Sequence, residues 1–288
     1  STLFVLENTT PSTTAINLSS VDPSQINNYL GKRVEIDSTS SKNFKAYKVS
    51  KGTLNIDSDV NLDNHSGAAI DKYYRVEFIN SAVTIASGKK ISGTDSGKLD
   101  QVIAQANYEG AMSRDNINVV NEGTIDYSKK GATGIVVDYG KATNKGLIKM
   151  DADNGNNQNS TALFGASDSL LLNDTTGTIQ LGNKGVGIWG ANKIGSSIGT
   201  WSKNINITNK GKIAGINGKK GLFGIYADNK EAGATSTISH TGTIDFSKVT
   251  SSTGIYAVKG KVTSSGNISV KEGSVGINAK NSEVEING

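Results

Sequence analysis

Apolar and polar residues alternate along most of this chain in short runs separated by glycine, asparagine and serine. In "NEGTIDY" (121–127), Ile125 and Tyr127 fall on one side of an extended chain and Asp126 on the other. The same period of two recurs at Ile148/Met150, Ile179/Leu181, Ile244/Phe246 and Ile268/Val270, with Lys149, Gln180, Asp245 or Ser269 between them. Such alternation predicts half-buried strands with the apolar residues inside and the polar ones in water. The strands recur as a unit. A Gly-x-Ile segment begins at Gly123, Gly146, Gly177, Gly211, Gly242 and Gly266, at intervals of 23 to 34 residues. A Gly-Ile segment comes after most of these, at Gly134, Gly187, Gly224, Gly254 and Gly276, with "TALFGA" (161–166) as an imperfect copy. A third apolar segment precedes several of the first, as in "INVVN" (117–121), "LLLND" (170–174) and "INITN" (205–209).

Three short strands per repeat, with no helix between them and a variable repeat length, predict an all-β fold: a single-stranded parallel β-helix that winds one rung per repeat. At about 4.8 Å per rung, some ten rungs make a rod roughly 50 Å long. The position two before each Gly-x-Ile glycine holds Asn121, Asn144, Thr175, Asn209, His240 and Ser264. In a solenoid these residues stack, and stacked Asn side chains hydrogen-bond along the axis. In "STGIYAVKG" (252–260), Gly254 is expected to mark the bend into a strand, Ile255 and Ala257 to face the core, and Tyr256 to face water beside the aromatics of neighbouring rungs.

The first part is less regular. Residues 53–64 and 74–94 read as further rungs, and residues 1–50 as an N-terminal cap on a β-helix that occupies 51–288. Asp22 and Pro23 suit the start of a short helix over 21–30. Leu99, Val102, Ile103 and Ala106 stand at helical spacing, which predicts a short helical insertion over 97–112. The C-terminal "NSEVEING" stops inside the repeat pattern, so the natural chain is expected to continue.

Composition sharpens this picture. There are 34 glycines but only two prolines, Pro11 and Pro23, and proline has no N–H for a strand paired on both sides. There is no cysteine, hence no disulfide or thiol chemistry, and the net charge of +4 spreads over 30 basic and 26 acidic residues. The lysines form no run longer than a pair, which reads as a solvated surface and not as a nucleic-acid footprint.

The candidate chemistry is thin. "GVGIWG" (185–190) matches the dinucleotide-binding spacing, but the adjoining "ANKIGSSIGTW" (191–201) is Gly- and Ser-rich instead of helical, so no cofactor is expected. His65 and His240 are far apart and no zinc set exists, and "DADNGNNQN" (151–159) reads as a solvated loop with weak calcium binding as the lesser alternative. No catalytic or metal residues are assigned. A β-helix enzyme acting on polysaccharide needs carboxylates in a column on one outer face, yet Asp126 and Asp245 are separated by Lys149, Gln180 and Ala214. The extra residues fall in three segments, about 150–161, 190–204 and 227–237, which are expected to project as lateral loops. They supply the receptor-contact candidates Trp189, Trp201, Lys203 and Lys230.

Repeats of the form N-x-G-x-I with a downstream G-I-Y-A resemble the passenger region of large Gram-negative autotransporter (type V secretion) adhesins. In their Lys/Asn-rich style they are most similar to the fusobacterial outer-membrane adhesins, over about residues 50–288. The resemblance implies a right-handed β-helix exported to the cell surface at the outer membrane. It also implies a C-terminal membrane β-barrel elsewhere in the natural chain, and attachment to host glycans, host protein receptors or other bacteria. The alternatives are a polysaccharide-active β-helix enzyme and a vacuolating autotransporter toxin passenger.

Overall fold

The computed structural model describes residues 3–7, 10, 12–20, 33–36, 46–63, 76–79, 81–94, 101–105, 117–166, 168–191, 204–229 and 233–288. These residues form a parallel β-helix with three strands per rung. Sheet A has eleven strands, sheet B ten and sheet C eight, and every strand but one at the end of sheet A pairs in parallel with its counterparts one rung away. One rung shows the plan: Ile205–Asn209 in sheet B, Lys212–Gly215 in sheet C and Phe223–Asp228 in sheet A. Among the described residues the only helical turn is a short 3₁₀ segment, Leu18–Ser20, and no helix is long and apolar enough to cross a membrane.

The alternation read from the sequence is what fills the core. Sheet C stacks Ile91, Ile125, Ile148, Ile179, Ile213 and Ile244, all fully buried. Sheet A stacks Ile103, Ile135, Leu163, Ile188, Ile225 and Ile255 in the same way. Each such side chain contributes about 1.5–3 kcal/mol of burial. Size differences are matched between rungs: a Cβ on Gly93 would strike the ring of the buried Tyr127, one rung on.

The corner from sheet B to sheet C explains the Asn-x-Gly repeat. The Nδ2 of Asn121 donates to Asn144 Oδ1 (2.8 Å), that of Asn144 to Asn173 Oδ1 (2.9 Å), and that of Asn173 to Asn209 Oδ1 (2.8 Å). Each Nδ2 also donates to a main-chain carbonyl one rung on, that of Leu147, Thr178 or Lys212. These carbonyls fix which way each amide faces. The member contributed by the 170–177 repeat is Asn173, not Thr175, because this corner is two residues longer and the strand register pairs Asn144 with Asn173 and Asn173 with Asn209. Upstream the column continues as Ile85, and Asn121 Oδ1 is buried there without a hydrogen-bond partner.

The corner glycines are fixed by close approach. A Cβ on Gly146, Gly211 or Gly242 would land on the carbonyl oxygen of the glycine one rung back. Those carbonyls accept the N–H of Leu147, Lys212 and Thr243 at 2.9 Å. The glycines of the Gly-Ile segments lie within their strands and not before them. Gly254 and Ile255 are buried in succession, and the pairing passes from Thr253 to Ile255 without the glycine. The chain thus shifts its alternation there, at a point where a Cβ would stand 2.5 Å from Gly276 O.

Two expectations change. Residues 101–105 of the segment read as helical form a strand of sheet A, with Val102 and Ile103 both in the core; the rest of 97–112 lies outside the described residues. Residues 1–50, taken as a cap, contribute strands to the stack itself: Leu3–Glu7 pairs in parallel with Ala46–Ser50, and Ala15–Asn17 with Thr53–Asn55. Arg33–Ile36 pairs antiparallel with Leu3–Glu7 at that end of sheet A. The helix expected over 21–30 lies outside the described residues. At the other end Val275 and Val284 are 44% exposed and Ile286 is 70% exposed.

Candidate binding surface

The three outer faces differ in chemistry. Sheet B presents a column of Thr84, Val120, Thr143, Leu172, Thr208, Ser239 and Thr263, uncharged up to Glu285 in the last rung. Sheet C presents Asp126, Lys149, Gln180, Ala214 and Asp245 in register, with Asp245 3.8 Å from Lys212 of the preceding rung. The Asp245 carboxyl is held below the usual carboxylate range by the Ser247 hydroxyl, against a smaller opposing effect of burial, and with help from Lys212.

Sheet A presents aromatics. Phe164, Trp189, Tyr226 and Tyr256 occupy one outward position in four successive rungs, all half-buried. Trp189 packs edge-on against Phe164 at 5.6 Å and against Tyr226 at 5.2 Å, while Tyr226 and Tyr256 stack at 4.7 Å with 18° between their planes. Phe223 meets both tyrosines edge-on, and the Lys280 ammonium lies 5.7 Å from the Tyr256 ring centre. Burial, with the Asp228 carboxylate beside it, pushes the Tyr226 hydroxyl's pKa up. The ring spacing matches the rung spacing because each aromatic is held by its own strand. Such a column offers a large, rigid contact area at low entropic cost.

Of the residues singled out from sequence, Trp189 is a member of this column, and Tyr256 stands beside Tyr226 as expected. Trp201, Lys203 and Lys230 lie outside the described residues. Phe164 and Phe223 were not legible as partners. Phe164 sits in the imperfect "TALFGA" copy and only register aligns it with Trp189, while Phe223, immediately before its Gly-Ile, pairs with Thr253 and reaches Tyr256 through its ring.

The remaining motifs resolve structurally. In "GVGIWG", Gly187 and Gly190 are buried within the strand Val186–Ala191, where a Cβ would meet Gly224 O and the Ile205 side chain. In the oxygen-rich loop, the Lys184 ammonium donates to Gly155 O and Asn156 Oδ1, both at 2.9 Å, so the chain's own cation occupies those oxygens. Buried Asn154 ties the loop down: its Oδ1 accepts from Gly131 N and its Nδ2 donates to Asn183 O. Among the described residues no group of three His, Cys, Asp or Glu gathers as a metal would require. Asp63, Asp126, Asp151 and Lys149 line one groove on sheet C. There Asp63 accepts both the N–H and the hydroxyl of Thr94, and Asp151 lies 3.7 Å from the Lys219 ammonium. His240 continues the Asn column. Its Nε2 faces the Asn267 carbonyl and so donates, which leaves Nδ1 to accept from Asn209 Nδ2 at 3.1 Å. Burial holds its pKa below the ordinary histidine value.

Compared with protein-family models, with curated proteins and with solved structures, the chain gives no match.

Proposed function

We propose that this chain is the β-helical passenger segment of a cell-surface adhesin, exported to the outer membrane, which acts by binding and not by catalysis. The observation that carries the reading is the outward column Phe164–Trp189–Tyr226–Tyr256 on one face of a stacked rod. Rim-exposed charges contribute little to binding, whereas aromatic anchors held rigidly dominate contact energy. The rod sets the anchors at fixed intervals, and the remainder of the natural chain, with a membrane β-barrel, would hold the rod to the cell. Its partner is a host glycan or protein receptor, or the surface of another bacterium, and no cofactor takes part. The reading predicts that the purified protein attaches to cells or to arrayed glycans and receptors. The double variant Trp189→Ala/Tyr226→Ala should lose most of that attachment while keeping its β-sheet circular dichroism. Absence of attachment to any surface would reduce the protein to a spacer.

A further inference from the structure

The turns from sheet C to sheet A carry a charge pattern that stacking creates and the sequence conceals. In six successive rungs these turns are residues 128–132, 154–160, 184–185, 216–222, 247–252 and 271–274. Together they hold seven lysines and one acid, Glu272. The turns from sheet B to sheet C in the same rungs hold two of each sign: Lys145 and Lys210 against Glu122 and Asp174.

The centre of the basic edge is knitted by the backbone. Lys184 N donates to Lys220 O (2.8 Å), Thr250 N to Lys219 O (3.2 Å) and Gly218 N to Lys248 O (3.1 Å), so Lys184, Lys219, Lys220 and Lys248 occupy three adjacent turns. Lys220 and Lys248 are exposed, whereas the Lys184 and Lys219 ammonium groups are steadied by the 155–156 loop oxygens and by Asp151. The edge borders sheet A at the strand starts Val186, Phe223 and Thr253, of which Val186 is buried and the other two are half-buried.

We infer that this corner binds a polyanionic glycan laid along the rod, with lysines from successive turns pairing with its sulfate or carboxylate groups. The inference rests on the adhesive reading above and specifies its partner. One observation favours a glycan over nucleic acid. The edge contains lysine and no arginine, giving point charges in place of the planar fork that suits phosphates and base edges.

The test measures binding of the purified protein to heparin, to a polyuronate, to neutral dextran and to duplex DNA, at about 50 and 200 mM salt. Binding to a sulfated or uronate polymer should weaken steeply with salt and fall at least about tenfold in Lys219→Glu/Lys220→Glu/Lys248→Glu. The control Lys145→Glu/Lys210→Glu at the opposite corner should bind as the unaltered protein does. No polyanion binding, equal losses in both variants, or tighter binding to DNA than to either acidic glycan would overturn the inference. Cell attachment that survives reversal of the corner but not Trp189→Ala/Tyr226→Ala also overturns it, and leaves the adhesive reading standing. Salt-sensitive glycan binding without any cell attachment supports the corner and removes the adhesive reading.

Discussion

Two corners of the same rod obey opposite rules. From sheet B to sheet C the turn is two residues in five of six successive rungs and four in the sixth, and it repeats Asn-x-Gly. From sheet C to sheet A it varies from two to seven residues and keeps no fixed motif, with lysine in five of the six turns. The difference lies in where the atoms point. At the first corner the Asn amide and the glycine α-carbon face the rung behind and the rung ahead, so any change meets backbone. At the second, Gly131 and Gly218 have φ of 68° and 79° and no atom within 4 Å of where a Cβ would be, so the surface is free to vary and to carry charge. Stacking constrains only what it touches.

The sharpest way to break the comparison is within the Asn column. Asn173→Ala leaves Asn144 Nδ2 short of an acceptor, and Asn209 Oδ1 and Lys212 O without their donor, all in a dry corner. Unsatisfied buried groups of this kind cost about 1–3 kcal/mol each, so a loss on the order of 3–5 kcal/mol is expected, visible as a fall in the thermal midpoint. A comparable loss from Lys220→Ala would erase the distinction.

The histidine in the column gives a second, pH-resolved effect. Protonation would place an Nδ1–H against the Asn209 NH₂, and neighbouring amides cannot flip to accept it because main-chain carbonyls hold them. The ionisable residues on the strands packed around it, Lys212, Asp245 and Lys261, all take outward positions. With the folded pKa depressed, the unfolded chain binds the proton first. Stability from the neutral ring is therefore complete above about pH 6.5 and is lost as the pH falls below it. His240→Asn should flatten the acid side of the stability profile from about pH 7 to 5 while leaving the neutral-pH midpoint within a few degrees. An unchanged acid limb would reject this role.

The sequence shows the first corner well and the second hardly at all, for the same reason. Asn121, Gly123 and Ile125 recur because each must fit its neighbour, so the three-strand rung could be read directly. The four-residue corner 174–177 misled, since counting back from Gly177 lands on Thr175 while register selects Asn173. Over 101–105 the helical expectation gives way to a strand because Val102 and Ile103 are consecutive core residues. They stand at the shift of alternation that glycine marks in other rungs, and two adjacent apolar residues imitate helical spacing. The lysine edge draws on residues from 129 to 271, and the aromatic column on residues from 164 to 256. Their neighbours are set by rung length, which no local pattern records.

Smaller effects are expected on the variable side. Tyr256→Ala removes the stack on Tyr226 and the edge contact with Phe223, worth about 1–2 kcal/mol together, with the outer surface otherwise intact. Lys184→Met should cost less than about 1 kcal/mol globally and instead raise amide exchange and proteolysis at 155–159, where the ammonium ties the loop. Equal exchange in both forms would mean the loop holds itself.

The division of labour between the two corners is tested most directly by one substitution made in each: thermal unfolding of Gly211→Ala beside Gly218→Ala. At Gly211 a Cβ collides with the carbonyl oxygens of Asp174 and Gly177, so the midpoint should drop by on the order of 10 °C or the protein should fail to fold. At Gly218 the methyl meets nothing and only the positive φ is penalised, about 1–2 kcal/mol and a shift of a few degrees. Equal losses at the two positions would contradict the claim that rung-to-rung contact, and not turn geometry, dictates the repeat.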